Sequence, residues 1–247
     1  MAEHLARYRF ASEIATGTVL DCEAGVGYGA YELIRLGRDI QSVVCLDVDR
    51  LSLAYGKSHY HDGRLFFVQG TAMRLPFAAG SFHTVVCFEV IEHLDDPRPL
   101  LQELRRIIKK KGQVIISTPN ALCHQENPNV HHVGELTQKE LLTLVEQFMQ
   151  VEQTYTQWYF LHITQLAKSV IMRVLHKLGV LYRVLDLWLK LLGRGGVPTG
   201  HARPASRSFE RLLMKLTPRP VGSKPLRRAA NIIVVARKAD SGAHMDA

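Results

Sequence analysis

The stretch VLDCEAGVGYG (19–29) is a short apolar run that breaks into a turn with glycines at 25, 27 and 29 and then enters a helix-forming segment. A strand–turn–helix of this kind lets backbone approach a ligand closely and aims helix N–H groups at it. Alone, the pattern marks a structural turn more often than a ligand loop. The next apolar run, VVCLDVD (43–49), reaches Asp47 18 residues after Gly29, where a carboxylate is placed to accept hydrogen bonds from a ribose diol. Together the two features point to a nucleoside ligand.

Outward from this stretch, strand-like and helix-like segments alternate. Residues 1–14 read as a helix, 18–21 as the first strand, 28–36 as a helix stopped by Gly37, and 42–46 as the second strand. A short helix over 50–57, a third strand over 64–69 and a fourth over 82–88 follow. The fourth is apolar nearly throughout, as a strand covered on both faces should be. Leu100, Leu101, Leu104, Ile107 and Ile108 share one face of a helix over 97–110, and Gly112 leads into a strand over 113–117. Thr137 and Glu140 form a capping box for a helix running to about 148. Strands over 151–158 and 231–237 complete the series. The alternation predicts an α/β fold: a doubly wound, seven-stranded, mostly parallel sheet with a basic helical element inserted before the last strand. The expected parts are a core at 1–160, the insert at 161–230, the final strand at 231–238 and a disordered tail at 239–247.

With 47% hydrophobic and 22% charged residues in 247, wholesale disorder is excluded. The net charge of +8 is unevenly spread: residues 161–230 hold 14 Lys/Arg against 2 Asp/Glu, and the rest of the chain is mildly acidic. Residues 1–13 hold no apolar run of the kind that opens a secretory signal, and the charge-free run 153–167 is too short and too polar to span a bilayer. Cysteines at 22, 45, 87 and 123 have no close pairing and read as reduced thiols, not as a disulfide framework or zinc site. A cytoplasmic location is expected.

The first motif, VVCLDVD (43–49), GTAMRLPF (70–77), SFHTVVCFEVIEHL (81–94), the helix over 97–110 and KGQVIISTPN (111–120), in this order, resemble the class I S-adenosylmethionine-dependent methyltransferases. The resemblance covers about 4–158 plus the last strand. EHLARYRFA (3–11) and ENPNVHHVGELT (126–137) look like the bacterial subgroup that methylates sugars or phosphate-linked glycans in surface-polysaccharide pathways. The resemblance implies S-adenosylmethionine as cofactor. Asp21 and Glu23 lie in the first motif, and Gly25 and Gly27 would meet the methionine part. Asp47 would hold the ribose, Val48 would lie beside the adenine, and Thr71, Ala72 and Met73 would border its edge. Phe88 and Glu89 would line the methyl-transfer pocket, with Arg7 and Tyr8 closing over the cofactor. Three positions depart from the family: Glu23 replaces a small residue, usually Gly, Thr71 an Asp that commonly meets the adenine amine, and His83 an Asp that often starts the fourth strand. They imply retuned cofactor binding or a lost activity. Glu23 would face the ligand's own carboxylate, a like-charge contact, or hydrogen-bond its ammonium.

Methyl transfer from a sulfonium is an in-line displacement, so the protein supplies position and, for a hydroxyl acceptor, a base. His93, next to the expected pocket, suits that role, and a helix-capping histidine is the equal alternative. Glu89 is the second catalytic candidate. His131 and His132 with Glu135 read as ordinary loop residues, and no metal is expected. Asp95 and Asp96 before Pro97 read as a charge effect at a helix start. Over 166–192 apolar and basic residues take opposite helical faces. That pattern fits helices packed on the core or at a homodimer interface, or a peripheral contact with the inner face of a membrane. Nucleic acid is not expected, because no binding module is recognisable. The reading is a methyltransferase acting on a hydroxyl or phosphate of a sugar, a lipid-linked glycan, a glycolipid or a small molecule. The alternative is a catalytically weak or inactive relative that acts as a binding or partner subunit.

Overall fold

A computed structural model describes residues 2–124, 133–157, 218–221 and 230–238. Its elements are α1 (Ala2–Ile14), β1 (Gly17–Cys22), α2 (Tyr28–Leu36), β2 (Ile40–Asp47), α3 (Arg50–His59), β3 (Leu65–Gln69) and β4 (Phe82–Phe88). A single 3-10 turn (Ile91–His93) precedes α4 (Arg98–Ile107), β5 (Ile108–Pro119), α5 (Ala121–His124), α6 (Gln138–Glu146), β6 (Gln150–Gln157), β7 (Arg219–Pro220) and β8 (Asn231–Arg237).

The strands form one sheet in the order β3-β2-β1-β4-β5-β8-β6-β7. β1 to β5 pair in parallel, and β8 runs antiparallel between β5 and β6. Among the described residues there are seven strands of five residues or more, as the alternation predicts, and β7 is a two-residue addition on β6. The order reverses between β1 and β4, so the chain leaves these neighbours toward opposite faces and a crevice opens beyond their C-terminal ends.

Each face buries its own apolar cluster. Leu100, Leu101, Leu104 and Ile107 of α4, with Leu141 and Val145 of α6, cover one side. Phe10, Ala11, Leu33, Ile34 and Leu53 cover the other. The four α4 side chains are fully buried, and each such burial contributes roughly 1.5–3 kcal/mol. The capping box at Thr137 and Glu140 forms as expected, and Asp96 accepts the Arg98 N–H at 3.0 Å at the start of α4.

Several expectations need correction. β5 begins at Ile108, not at Gln113, and α4 ends at Ile107, because Ile108 pairs with Phe82 before an irregular step to the Thr84–Gln113 pair. Gly37 closes α2 through its N–H on Leu33, but with φ −72° and not in the left-handed region; a side chain there would meet Ile40 and the Leu33 carbonyl. Arg219–Pro220 pairs as strand with β6, although it lies inside the expected helical insert. The rest of the insert, apart from residues 218, 221 and 230, and the tail 239–247 lie outside the described residues.

Gly29 shows how tightly α1 meets α2. A Cβ there would fall 2.0 Å from Cζ of Tyr8, so only glycine lets the tyrosine ring lie on the start of α2. Gly29→Ala is expected to lower stability by about 1–3 kcal/mol in a thermal melt. An unchanged midpoint would contradict this packing.

Candidate functional site

The turns after β1, β3 and β4 converge beyond the sheet on a cleft of about 310 Å³ lined by Glu23, Thr71, Ala72, Met73, Glu89, Val90, His93 and Leu94. Asp47, at the end of β2, holds the turn after β1 in place. One carboxylate oxygen accepts the Gly25 N–H at 2.7 Å and the other the Asp49 N–H at 2.8 Å. The turn is also tied by Ala24 N–H to the Leu46 carbonyl at 2.9 Å, and Gly70 N–H bonds the Asp47 carbonyl at 3.0 Å. Gly25 and Gly27 take left-handed backbone (φ 56° and 78°), which is where glycine costs least.

Glu23 takes the same left-handed conformation, with φ 59°. For a residue with a Cβ this costs about 1–3 kcal/mol, which gives a local reason for a small residue at this position. Its Oε1 accepts the Ala72 N–H at 3.2 Å. Burial, then the charge of Asp47, raises the Glu23 carboxyl above its usual range, against the opposing pull of the Ala72 N–H. Glu89 is the other non-glycine with positive φ among the described residues, at 57°. Its N–H bonds the Ser117 carbonyl at 3.0 Å, Ser117 Oγ lies 3.4 Å from its Oε1, and Arg7 Nη2 stands 3.5 Å from the same oxygen.

Beneath the cleft, Asp21 is fully buried, and the Tyr8 hydroxyl donates to its carboxylate at 3.0 and 3.2 Å. Burial raises the Asp21 carboxyl to about 7; the Tyr8 hydrogen bond opposes this and the charge of Asp47 adds to it. Tyr8 packs edge-on against Phe88 at 5.2 Å and Tyr28 at 5.9 Å. Arg7 is buried, donates from Nη1 to Gln157 Oε1 at 2.8 Å, and keeps Nε and Nη2 without a hydrogen-bond partner.

The structure therefore brings Glu23, Thr71, Ala72, Met73, Glu89 and His93 onto one cleft, while Asp47 holds the Gly25 N–H in the turn that carries Glu23 and does not itself line the cleft. Val48 is 53% exposed and Met73 37%, apolar surface left uncovered beside it. Asp21 and Phe88 lie behind the wall, in the core, not on it. Thr71 turns its hydroxyl to the Met73 N–H at 3.3 Å, within its own turn. His83 needs correction as a position that retunes cofactor binding. It sits at the start of β4, at the opposite end of the strand from the cleft, and its Nδ1 accepts the Thr18 N–H at 3.0 Å. His131 and His132 lie outside the described residues. Among the described residues no group of three or more His, Cys, Asp or Glu is arranged to hold a metal. The Tyr8–Asp21 pair and the approach of Ser117 to Glu89 were not read from the sequence. The second follows once β5 is known to lie beside β4.

Because the folded chain keeps the Asp21 proton over a range where the unfolded chain has lost it, this carboxyl stabilises the fold most below about pH 4. The contribution is lost as pH rises toward about 7. Relative to Asp21→Asn, which retains a partner for Tyr8, the wild-type melting midpoint is expected to fall by several degrees between about pH 5 and pH 8. Parallel pH profiles of the two proteins would contradict the assignment.

Residues 20–116 match the protein family described as Methyltransferase domain. A protein of Mycobacterium tuberculosis named as a probable S-adenosylmethionine-dependent methyltransferase is 32% identical over 141 residues, 56% of this chain and 50% of its own length. The mitochondrial ubiquinone biosynthesis O-methyltransferase of Schizosaccharomyces pombe is 31% identical over 107 residues, 40% of this chain and 37% of its own length. The chain thus spans about half or less of the length of these curated relatives. A chain of the Haloferax volcanii complex that contains the Trm112 methyltransferase activator shares the fold, with a TM-score of 0.63 at 16% identity over 98% of this chain and 91% of that one. Residues 20–116 are thus similar to a methyltransferase domain, the chain shares the fold of that solved structure, and S-adenosylmethionine is the cofactor expected of such a domain.

Proposed function

We propose that the chain transfers a methyl group from S-adenosylmethionine to a hydroxyl or phosphate oxygen of a sugar, a glycolipid or a related small molecule. The Asp47 carboxylate carries this reading. It offers about four lone-pair sites, and the Gly25 and Asp49 N–H groups use two of them. The remaining two suit the adjacent hydroxyls of a ribose. Val48 and Met73 offer apolar cover for adenine, and the turn from Thr71 to Met73 borders its edge. Gly25 and Gly27 let the chain approach the methionine part. Arg7, with two buried donor atoms to spare, is the cation nearest Glu89 on the α1 side and suits a carboxylate.

When bound, the cofactor supplies a methyl group on a positive sulphur. The chain's share is to hold it, orient the acceptor and take a proton. His93, exposed on the cleft wall, is the group assigned to remove the acceptor's hydroxyl proton. Glu89 stands on the same wall, fixed by Ser117 and Arg7, and orients the acceptor. A relative named for O-methylation supports an oxygen acceptor. The glycan or lipid-linked class rests on residues 3–11 and 126–137. Contact with a membrane, or between two copies, rests on the basic stretch 161–230. Among the described residues no helix is long and apolar enough to cross a membrane. A second reading, a non-catalytic binding subunit, is favoured by the departures at Glu23 and Thr71.

Calorimetry with S-adenosylmethionine tests the proposal. Binding is expected at or below millimolar cofactor, and Asp47→Ala should weaken it at least tenfold. His93→Gln should leave binding unchanged and lower labelled methyl transfer to a glycolipid extract about 100-fold. No binding at millimolar cofactor would overturn the enzyme reading, and full transfer by His93→Gln would remove the base.

A further inference from the structure

The Glu23 side chain does something a glycine cannot. It reaches across the cleft from the turn after β1 and takes the backbone N–H of Ala72 in the turn after β3. The three donors that follow Ala72 in that second turn are engaged elsewhere. Met73 N–H bonds the Thr71 hydroxyl, Arg74 N–H the Thr71 carbonyl at 3.2 Å, and Leu75 N–H the Glu103 carboxylate at 2.7 Å. Ala72 lines the cleft, and Glu23 holds its N–H. A planar base lying over Met73 has this same N–H as its hydrogen-bond donor. The point rests on the nucleoside reading proposed above.

We infer that Glu23 is a built-in competitor of the cofactor's adenine: its carboxylate occupies the Ala72 N–H that the base must take, and a nucleoside enters only as Glu23 lets go. Several features keep this latch releasable. The backbone of Glu23 is held in left-handed conformation, the Asp47 charge stands near its carboxylate, and the 3.2 Å contact is long for a charge-assisted hydrogen bond. Of these, the repulsion by Asp47 and the weakness of the contact lower the cost of letting go.

The rival account of the same residue is repulsion of the methionine carboxylate. The two accounts differ in which ligands respond. Dissociation constants of the full chain, Glu23→Gln and Glu23→Gly are to be measured for S-adenosylmethionine, S-adenosylhomocysteine and 5′-methylthioadenosine, which has the base and ribose but no amino acid. Competition for Ala72 predicts that Glu23→Gly tightens all three by about tenfold and by similar factors, because a charge-assisted hydrogen bond is lost to the ligand's benefit. Glu23→Gln, a weaker acceptor, should give a smaller gain, again shared by all three. Glycine suits the local φ, so a melting curve is expected to show Glu23→Gly folded. A gain confined to the two ligands that carry the amino acid, or no gain, would overturn the competitor role. If none of the three ligands binds any of the three proteins, the nucleoside reading itself falls and takes this inference with it.

Discussion

The carboxylate of Asp47 is the contact on which the rest of the site depends. Two parallel strands end side by side, and the chain after β1 has to turn sharply without closing the crevice between β1 and β4. Asp47 solves this by taking one N–H from the turn and one from its own loop, and its backbone carbonyl takes a third from Gly70. Three turns are thereby referenced to one residue. A carboxylate does this better than a neutral acceptor, because charge-assisted bonds are shorter and about twice as strong and because lone pairs are left over for a ligand.

Around that anchor the chain accepts local costs. Asp21 is buried without a cation in hydrogen-bond contact; burial raises its proton affinity, and the Tyr8 hydroxyl, donating to the carboxylate, offsets part of that cost. Glu23 and Glu89 carry positive φ although neither is glycine. Such strain persists where surrounding structure over-determines it, and both residues face the same cleft. Arg7 links the cleft to the far side of the sheet, since Gln157 at the end of β6 holds its Nη1. The N-terminal helix is therefore part of the site's wall, not a peripheral addition.

Much of this was readable in advance where a physical signal is local. The bounds of α2, β4 and β8 follow from apolar runs broken by glycine or charge, and they match residue for residue. The position of Asp47 follows from strand–turn–helix spacing, whereas those of Glu23 and the turn from Thr71 to Met73 come from the family resemblance. What failed to show depends on partners distant in the chain. The lysines at 109–111 hide the start of β5, whose first pairing is made by Ile108 with Phe82. A two-residue strand at Arg219–Pro220 has no periodicity to read. Tyr8 reaches Asp21 because α1 packs closely on α2 through a gap that Gly29 leaves. His83 looked relevant to the cofactor by position within a motif, and only the direction of β4 reveals that it stands at the wrong end.

The most direct test is a crystal structure of the chain grown with S-adenosylhomocysteine. The account predicts the ribose hydroxyls within hydrogen-bond distance of Asp47, the base between Val48 and Met73 on the Ala72 N–H, and the Glu23 side chain displaced from that donor. A nucleoside bound elsewhere, or a cleft left closed by Glu23 at saturating ligand, would contradict it.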